Sequence, residues 1–187
     1  RKLHGFIKAL IALGEYDLAR KHIEDLGENQ SKTRAQALNK LMMATRDEDD
    51  VEQFLNEVDV VWDALDNKTL FIYAMQIIEL GERAYVEQLV ESVGLTKNSV
   101  LLLFCALYFN DPSFENTRKV FLASEHMRSN SSFAMMVLAH VYAREQRVFE
   151  AKTLILKCKE KQRVRGLILL DKYIREKTFE LSDFTNF

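Results

Sequence analysis

Basic side chains are concentrated near the end of the chain, and they are the residues best suited to bind a ligand. Residues 143–177 contain eleven Lys or Arg against five Asp or Glu, whereas residues 1–97 contain twelve against eighteen. Cations this close in sequence can neutralise several neighbouring phosphates, and binding of that kind weakens steeply as salt is added. The candidate binding residues are Lys152, Lys157, Lys159, Lys161, Arg163 and Arg165.

Five of these cations alternate with other residue types between positions 157 and 165. We expect this stretch to connect two helices, so that the side chains converge on one ligand, either single-stranded RNA or an acidic partner protein. A solvated face, or charge matching to an acidic neighbour, would explain the same composition. Tyr142, Phe149 and Tyr173 lie near in sequence and could stack on bases, although Tyr142 also fits a core position.

No combination of residues in the sequence is typical of catalysis or of a metal site. The acidic run 47–50 lacks the alternating ligands and central glycine of a calcium loop, so we expect a solvated helix start. The four histidines are dispersed, and His140 lies in an apolar segment, where a buried histidine with a hydrogen bond is expected. Because the sequence also has no phosphate-binding glycine loop and no nucleophile motif, we expect no enzyme activity, no metal and no cofactor.

The composition is that of an ordinary globular protein. The 187 residues are 48% hydrophobic and 29% charged, and the formal net charge of −2 gives no overall basic field. Cys105 and Cys158 stand in apolar segments without metal-ligand spacing, which indicates buried or half-buried thiols in a reducing compartment. The longest apolar stretch, residues 99–109, is too short to span a membrane, so no membrane insertion is expected.

A repeated apolar frame must position these residues. Apolar side chains recur 13 and 9 positions before, and 4 positions after, a set of five anchors separated by 32, 35, 31 and 34 residues. Self-similarity at this period is typical of stacked helical pairs, which present a long surface to a partner. The anchors are Ala19, Val51, Val86, Thr117 and Ala151.

The frame predicts an all-α fold, a right-handed α-solenoid of about five antiparallel helix pairs with a capping helix. No linker divides residues 1–177, so we expect one domain. Trp62 extends the second unit by a longer helix or an extra turn. The units are expected at residues 1–31, 32–66, 67–97, 98–131 and 132–162, and the capping helix at 163–177. Within the last four units, helices are predicted near 33–45, 48–58, 68–80, 83–93, 99–109, 113–127, 132–144 and 147–160.

Residues 178–187 form a tail that carries Phe179, Leu181, Phe184 and Phe187 among polar residues. The tail is expected either to fold onto the last helix or to act as a docking segment for another chain or for a further part of a larger protein. Because the sequence begins with Arg1 and not with Met, we expect it to be a piece of such a protein.

The stretch from Phe6 to Ala19, with the apolar columns around the other anchors, resembles the tetratricopeptide and pentatricopeptide repeat superfamily. The uneven spacing and the absence of proline near the unit ends favour degenerate pentatricopeptide repeats, similar to the leucine-rich ones of animal mitochondria. The resemblance implies a non-enzymatic binding module in mitochondrial RNA metabolism, located in the mitochondrial matrix or otherwise in the cytoplasm. The alternative is a protein-interaction scaffold of tetratricopeptide type that does not contact RNA.

The base-reading code of pentatricopeptide proteins would fall fifteen positions before each anchor, where that family places Asn, Ser or Thr. This sequence has His4, Gln36, Phe71, Leu102 and Met136 there. Only Gln36, with Asp66 closing its unit, resembles a polar pair, so we do not expect one base to be read per repeat. Gln36, Phe71, Leu102 and Met136 are instead possible groove contacts, and an exposed apolar groove would favour a protein partner.

Overall fold

The computed structural model describes residues 2–92, 94–178 and 180–185, and all regular elements in this part of the chain are helical. The side chains of Lys2 and Leu3 lie outside this description. The prediction of an all-α fold is confirmed. The chain divides into two compact units, Arg1–Ala64 and Leu65–Phe187. The solenoid arrangement, its handedness and the five-unit division of one domain stay predictions.

The first compact unit contains two helical pairs. In each pair the second helix packs against the first, and the two first helices also contact each other. Trp62 lies in a short 3₁₀ turn, Trp62–Ala64, which confirms the predicted extra turn. Another 3₁₀ turn covers Glu28–Gln30. The helices are α1 (Lys2–Ala12), α2 (Tyr16–Glu24), α3 (Ser31–Thr45) and α4 (Glu48–Asp59).

The second compact unit contains the remaining described helices. The helices that open its pairs, α5, α7 and α9, contact one another, and α11 packs against both α9 and α10. The helices are α5 (Asn67–Glu79), α6 (Arg83–Leu89), α7 (Lys97–Asn110), α8 (Phe114–Ser124), α9 (Ser132–Arg144), α10 (Val148–Leu156), α11 (Glu160–Glu176) and α12 (Leu181–Thr185).

Helices α7 and α9 are apolar on nearly all sides. Ten of the fourteen residues of α7 and ten of the thirteen of α9 are buried. A helix that is apolar all round must be covered on every face, and neighbouring helices on both sides provide this cover. The packing of α11 on α9 and α10 requires a glycine at position 166. A Cβ there would lie 2.9 Å from Ile155 Cγ2 and 2.9 Å from Met136 Sδ, which is too close.

The recurring apolar columns form the interior of the two units. Of the twenty column residues, nineteen are buried or half-buried. The exception is Phe6, which is 47% exposed and contacts the His22 ring edge-on at 5.2 Å. The columns therefore specify packing inside the units and identify no ligand surface.

Four predicted helix boundaries lie several residues from those observed. Helix α6 ends at Leu89, not at 93, and Val93 itself lies outside the described residues. Helix α8 ends at Ser124, not at 127. Helix α10 ends at Leu156, not at 160, and α11 begins at Glu160, not at 163, so the connection between them lies at residues 157–159.

Candidate functional site

The connection between α10 and α11 consists of Lys157, Cys158 and Lys159 alone. The chain leaves α10 through tightened hydrogen bonds, from Lys157 N to Leu154 O at 3.1 Å and from Cys158 N to Ile155 O at 3.0 Å. The hydroxyl of Ser132 then accepts a hydrogen bond from Lys159 N at 3.2 Å. This bond joins the start of α11 to the start of α9.

The helical start of α11 separates cations that alternate in sequence. Successive helical residues are rotated by about 100°, so residues two apart point in nearly opposite directions. Lys161 and Arg165, four apart, share one face, whereas Arg163 lies between them on another side. Lys161, Arg163 and Arg165 therefore lie on a helix and not in the connection that the sequence predicts, and the binding of these cations to one ligand stays a prediction.

Arg163 has a structural role in this region. Its side chain is half-buried, and Nη2 donates a hydrogen bond to the carbonyl of Cys158 at 3.2 Å. The Cys158 thiol beneath it is buried, with Sγ 3.6 Å from the carbonyl of Ser132. Cys105 is also a buried free thiol, and burial raises the pKa of both cysteines. The prediction of buried thiols is confirmed.

The other cations of the cluster face solvent. Lys152, Lys157, Lys159, Lys161 and Arg165 are exposed. Within the described ranges, Lys157, Lys159 and Lys161 form no ion pair. A depression of about 640 Å³ is lined by Lys159, Lys161, Gln162, Val164, Arg165 and Ile168. Lys152, on α10, is not among its lining residues.

A second depression, of about 340 Å³, lies on the other side of Lys159, which lines both. It contains a second lysine, Lys68, from the first turn of α5. A smaller cavity of about 150 Å³ shares Lys68 and Gln162 with it and reaches Met136. The second depression is lined by Asp66, Asn67, Lys68, Asn130, Ser131, Ser132, Phe133, Lys159 and Gln162. We call Lys68, Lys157, Lys159, Lys161 and Arg165 the basic surface.

Three helix N-termini meet at the second depression. Ser131 caps α9, and its hydroxyl accepts a hydrogen bond from Asn67 Nδ2 of α5 at 3.0 Å. Helix α11 joins through the bond between Lys159 N and Ser132, and no side chain in the described part of the protein caps its N-terminus. Helix N-termini carry partial positive charge and point free N–H groups outward, so they favour anions.

The positive side chains near the N-terminus of α11 add to the positive end of the helix dipole and do not offset it. Its first turn has one acid, Glu160, whereas Lys159, Lys161 and Arg165 all lie at or near this end. Such an arrangement is unfavourable for the helix by a few tenths of a kcal/mol per charge. It concentrates positive potential where the two depressions meet.

Among the described residues, Asp66 is the one acid that lines the second depression. Burial opposes its ionisation, but hydrogen bonds from the backbone and hydroxyl of Thr69 outweigh this and hold the pKa of Asp66 below its usual range. The carboxylate caps α5 and stays charged, so an anion would bind nearer to Lys68 and Lys159. Asp66 thus has a capping role, and Gln36, its expected partner in base reading, is exposed on α3.

The predicted groove contacts are not exposed in the second unit. Phe71, Leu102 and Met136 are 0%, 0% and 1% exposed. The Phe71 ring contacts those of Phe109 and Phe133, because α5 packs on α7 and α9, and that of Phe184, because α12 packs on α5. The exposed apolar groove that would have favoured a protein partner is therefore not formed by these three residues, and their contact with a ligand stays a prediction.

Of the three aromatic residues proposed to stack on bases, one is available. Phe149 is 81% exposed, whereas Tyr173 is buried in the core. Tyr142 is half-buried and stacked on Phe121 at 4.9 Å, with the Arg147 guanidinium 4.7 Å from the centre of the Tyr142 ring. Tyr142 therefore packs, as its column position indicates.

The acidic run is only partly the solvated helix start that the sequence predicts. Residues 47–49 are exposed, and Asp47 caps α4. Asp50, by contrast, is fully buried and accepts two hydrogen bonds from Arg20, at 2.8 and 2.7 Å, and one from Thr45 at 2.7 Å. Among the described residues no group of three or more His, Cys, Asp or Glu could hold a metal ion.

Lys68, Gln162 and Ser132 were not identified by sequence reasoning. The available signals were local: Asp66 and the Ser131–Ser132 pair are typical helix N-cap residues. A cap locates a helix start, but it does not show that three starts meet, because this depends on how the helices pack.

No protein-family model, curated protein or solved structure matches the chain. The resemblance to pentatricopeptide repeats therefore rests on the residues themselves. No helix in the described part of the chain is long and apolar enough to cross a membrane.

Proposed function

We propose that this chain is a non-enzymatic helical-repeat binding module in mitochondrial RNA metabolism, and that it holds single-stranded RNA by its phosphates. The observation that carries the proposal is the position of Lys159 between two depressions that also contain Lys68, Lys161 and Arg165. The RNA setting comes from the resemblance to pentatricopeptide repeats, and the phosphate chemistry comes from the basic surface.

The proposed contact is with the RNA backbone and not with base edges. Three of the five positions where a base-reading code would lie, Phe71, Leu102 and Met136, are buried. Exposed lysines attract phosphates of any sequence, and this electrostatic contribution releases counterions. We therefore expect weak sequence preference and a strong dependence on salt.

Charge reversal of the connection tests this proposal. The triple variant Lys157→Glu, Lys159→Glu, Lys161→Glu should bind a fluorescein-labelled single-stranded oligouridylate at least tenfold more weakly, an order-of-magnitude estimate for three lost phosphate contacts. Fluorescence anisotropy between about 50 and 200 mM salt should also show that the slope of log affinity against log salt concentration is smaller in magnitude by about 2 for this variant. A variant reversed at the exposed Lys8, Lys21 and Lys32 is the matched control.

The control variant should retain the affinity of the parent protein, because these lysines do not line either depression. All three proteins should melt at similar temperatures. If the triple variant binds the oligonucleotide as tightly as the parent does, the basic surface is not the RNA site and the proposal is wrong.

One observation favours a second candidate, an acidic protein partner without RNA. Val164 and Ile168, in the larger depression, are 58% and 62% exposed, and exposed apolar side chains beside cations are typical of protein contacts. If so, a pull-down with the wild-type protein should recover a protein partner even after nuclease treatment. The double variant Val164→Ser, Ile168→Ser should no longer recover this partner. If RNA is the ligand, the same variant should retain most of its affinity for the oligonucleotide.

A further inference from the structure

Among the described residues of the short C-terminal helix α12, Phe184 is the buried side chain, and Asp183 forms an ion pair. Phe184 is fully buried, whereas its neighbours Ser182 and Thr185 are exposed. Asp183 forms an ion pair with Lys172 of α11, with Nζ 3.0 Å from Oδ1. Phe179 and Phe187 of the tail lie outside the described residues. Helix α12 packs on α5, and its ion pair with Lys172 also contacts α11, the helix onto which the sequence predicts that the tail folds.

The Phe184 ring fills a pocket whose walls come from three helices. Its centroid lies 5.3 Å from that of Phe71 on α5, 5.8 Å from that of Phe109 on α7 and 5.1 Å from that of His140 on α9. These helices also pack directly against one another, and the Phe71 and Phe109 rings are 6.2 Å apart. The walls are therefore held in place by contacts that do not involve α12.

A five-residue helix has little stability of its own, since isolated helices of this length are marginal in water. Segments with few buried contacts open locally at much lower free energy than the core does. Because Phe184 is the buried residue of α12, its departure would expose an aromatic pocket with a cation, Lys172, at its edge.

We propose that this pocket is a peptide-binding site for a partner protein and that α12 occupies the pocket when the partner is not bound. The partner is a protein that presents an aromatic residue directly after an acid on a helical turn, as Asp183 and Phe184 do. The aromatic side chain would stack in the pocket between Phe71, Phe109 and His140, and the acid would pair with Lys172. The proposal does not depend on RNA binding at the basic surface.

Competition in trans tests this site in the full chain. The probe is a fluorescein-labelled peptide with the sequence of residues 178–187. The Phe184→Ala protein should bind it, whereas the wild-type protein should bind it roughly tenfold or more weakly, because a short tether gives α12 a millimolar effective concentration. A control peptide with Phe184→Ala should bind neither protein.

The ion pair gives a second, gentler variant in case Phe184→Ala does not fold, as judged by circular dichroism. Asp183→Lys leaves the ring in place but repels Lys172, so this protein should bind the probe more tightly than the wild type does. The Lys172→Glu protein should in turn prefer a probe carrying Asp183→Lys over the original probe.

Three results would overturn the proposal. The first is that neither folded variant binds the probe, which would mean that Phe184 only completes the core. The second is equal binding of the probe and of its alanine control. The third is exchange of α12 between copies, seen as concentration-dependent dimers of the wild-type protein, since the occupant would then be a second copy. None of these results affects the oligonucleotide assay.

Discussion

Each compact unit contains a group of charged residues, and the two groups differ in their surroundings. In the first, Asp50 is fully buried and its oxygens accept hydrogen bonds from Arg20 and Thr45. In the second, Lys157, Lys159 and Lys161 face solvent, and in the described part of the chain they form no ion pair. In the sequence, both groups appear as short runs of charged residues.

The difference lies in what each charge contacts within the folded protein. A buried carboxylate must be compensated by its own unit, because burial of an isolated charge is very unfavourable. An exposed lysine is solvated by water and requires no partner, so its charge stays available to a ligand. Compensation inside the unit therefore separates a structural charge from a candidate binding charge.

The largest expected effect follows from removing the buried acid. Asp50→Ala should lower the free energy of unfolding by about 2 kcal/mol, because the charge-assisted hydrogen bonds from Arg20 and Thr45 are lost, although Arg20 keeps its ion pair with Asp17. Unfolding in urea can be followed by the fluorescence of Trp62, the one tryptophan of the sequence, which is 5% exposed. The exposed Asp49→Ala is the control and should change stability by less than about 0.5 kcal/mol. If Asp50→Ala changes the free energy of unfolding as little as Asp49→Ala does, the buried charge is not structural and does not differ in this respect from the exposed lysines.

The second effect is a dependence on pH that differs between the units. Burial, which outweighs the hydrogen bond to Met136 and the attraction of Asp183, lowers the pKa of His140 below its unfolded value of 6.5. The unfolded state then binds the proton first, so stability is lost as pH falls below about 6.5, by at most about 1.4 kcal/mol per pH unit. Hydrogen exchange of residues 132–144 should show this loss, and His140→Gln should reduce it.

The corresponding window of the first unit lies at lower pH. Burial of Asp50 opposes ionisation, but the hydrogen bonds from Arg20 and Thr45 prevail and hold its pKa below 3.8. Its contribution is therefore present above pH 3.8 and is lost only as pH falls below that value. A difference between wild type and Asp50→Asn that already disappears near pH 6 would contradict this assignment.

The third effect separates the cations of the cluster from one another. Arg163→Ala should lower stability by about 1 kcal/mol, because the carbonyl of Cys158 loses its donor. Lys157→Ala should leave stability unchanged within error, since its side chain is exposed. Thermal melting of both variants measures this. Equal losses in the two variants would show that Arg163 is not structural.

The smallest effect is the most specific to the proposed site. Lys161→Glu should raise stability by about 0.5 kcal/mol, because an acid in the first turn of α11 interacts favourably with the helix dipole. The same variant should bind the oligonucleotide more weakly. Denaturant titration and anisotropy on one sample compare the two outcomes. A variant that is both less stable and unchanged in binding would assign Lys161 to the fold.

Much of the helical architecture is local and could be predicted. The period of the apolar residues identifies each main helix, and caps such as Asp47 and Asp66 determine starts to within a residue. Boundaries failed where helix ends depend on partners elsewhere, as at Lys159, whose backbone is bound by Ser132. The same holds for the candidate site, because the alternation of charge between Lys157 and Arg165 predicts a connection between helices, whereas most of this stretch belongs to α11.

The sequence by itself therefore determined which residues are apolar, where the helices form and where positive charge is concentrated. These properties follow from composition and from interactions a few residues apart. Only the tertiary structure decided that Asp50 is compensated, that Arg163 supports a turn and that Lys68 lies beside Lys159. It also decided that Phe184 fills the pocket between Phe71, Phe109 and His140. Each of these outcomes depends on helices distant in sequence that pack together, and packing decides which charged and aromatic groups keep a free surface.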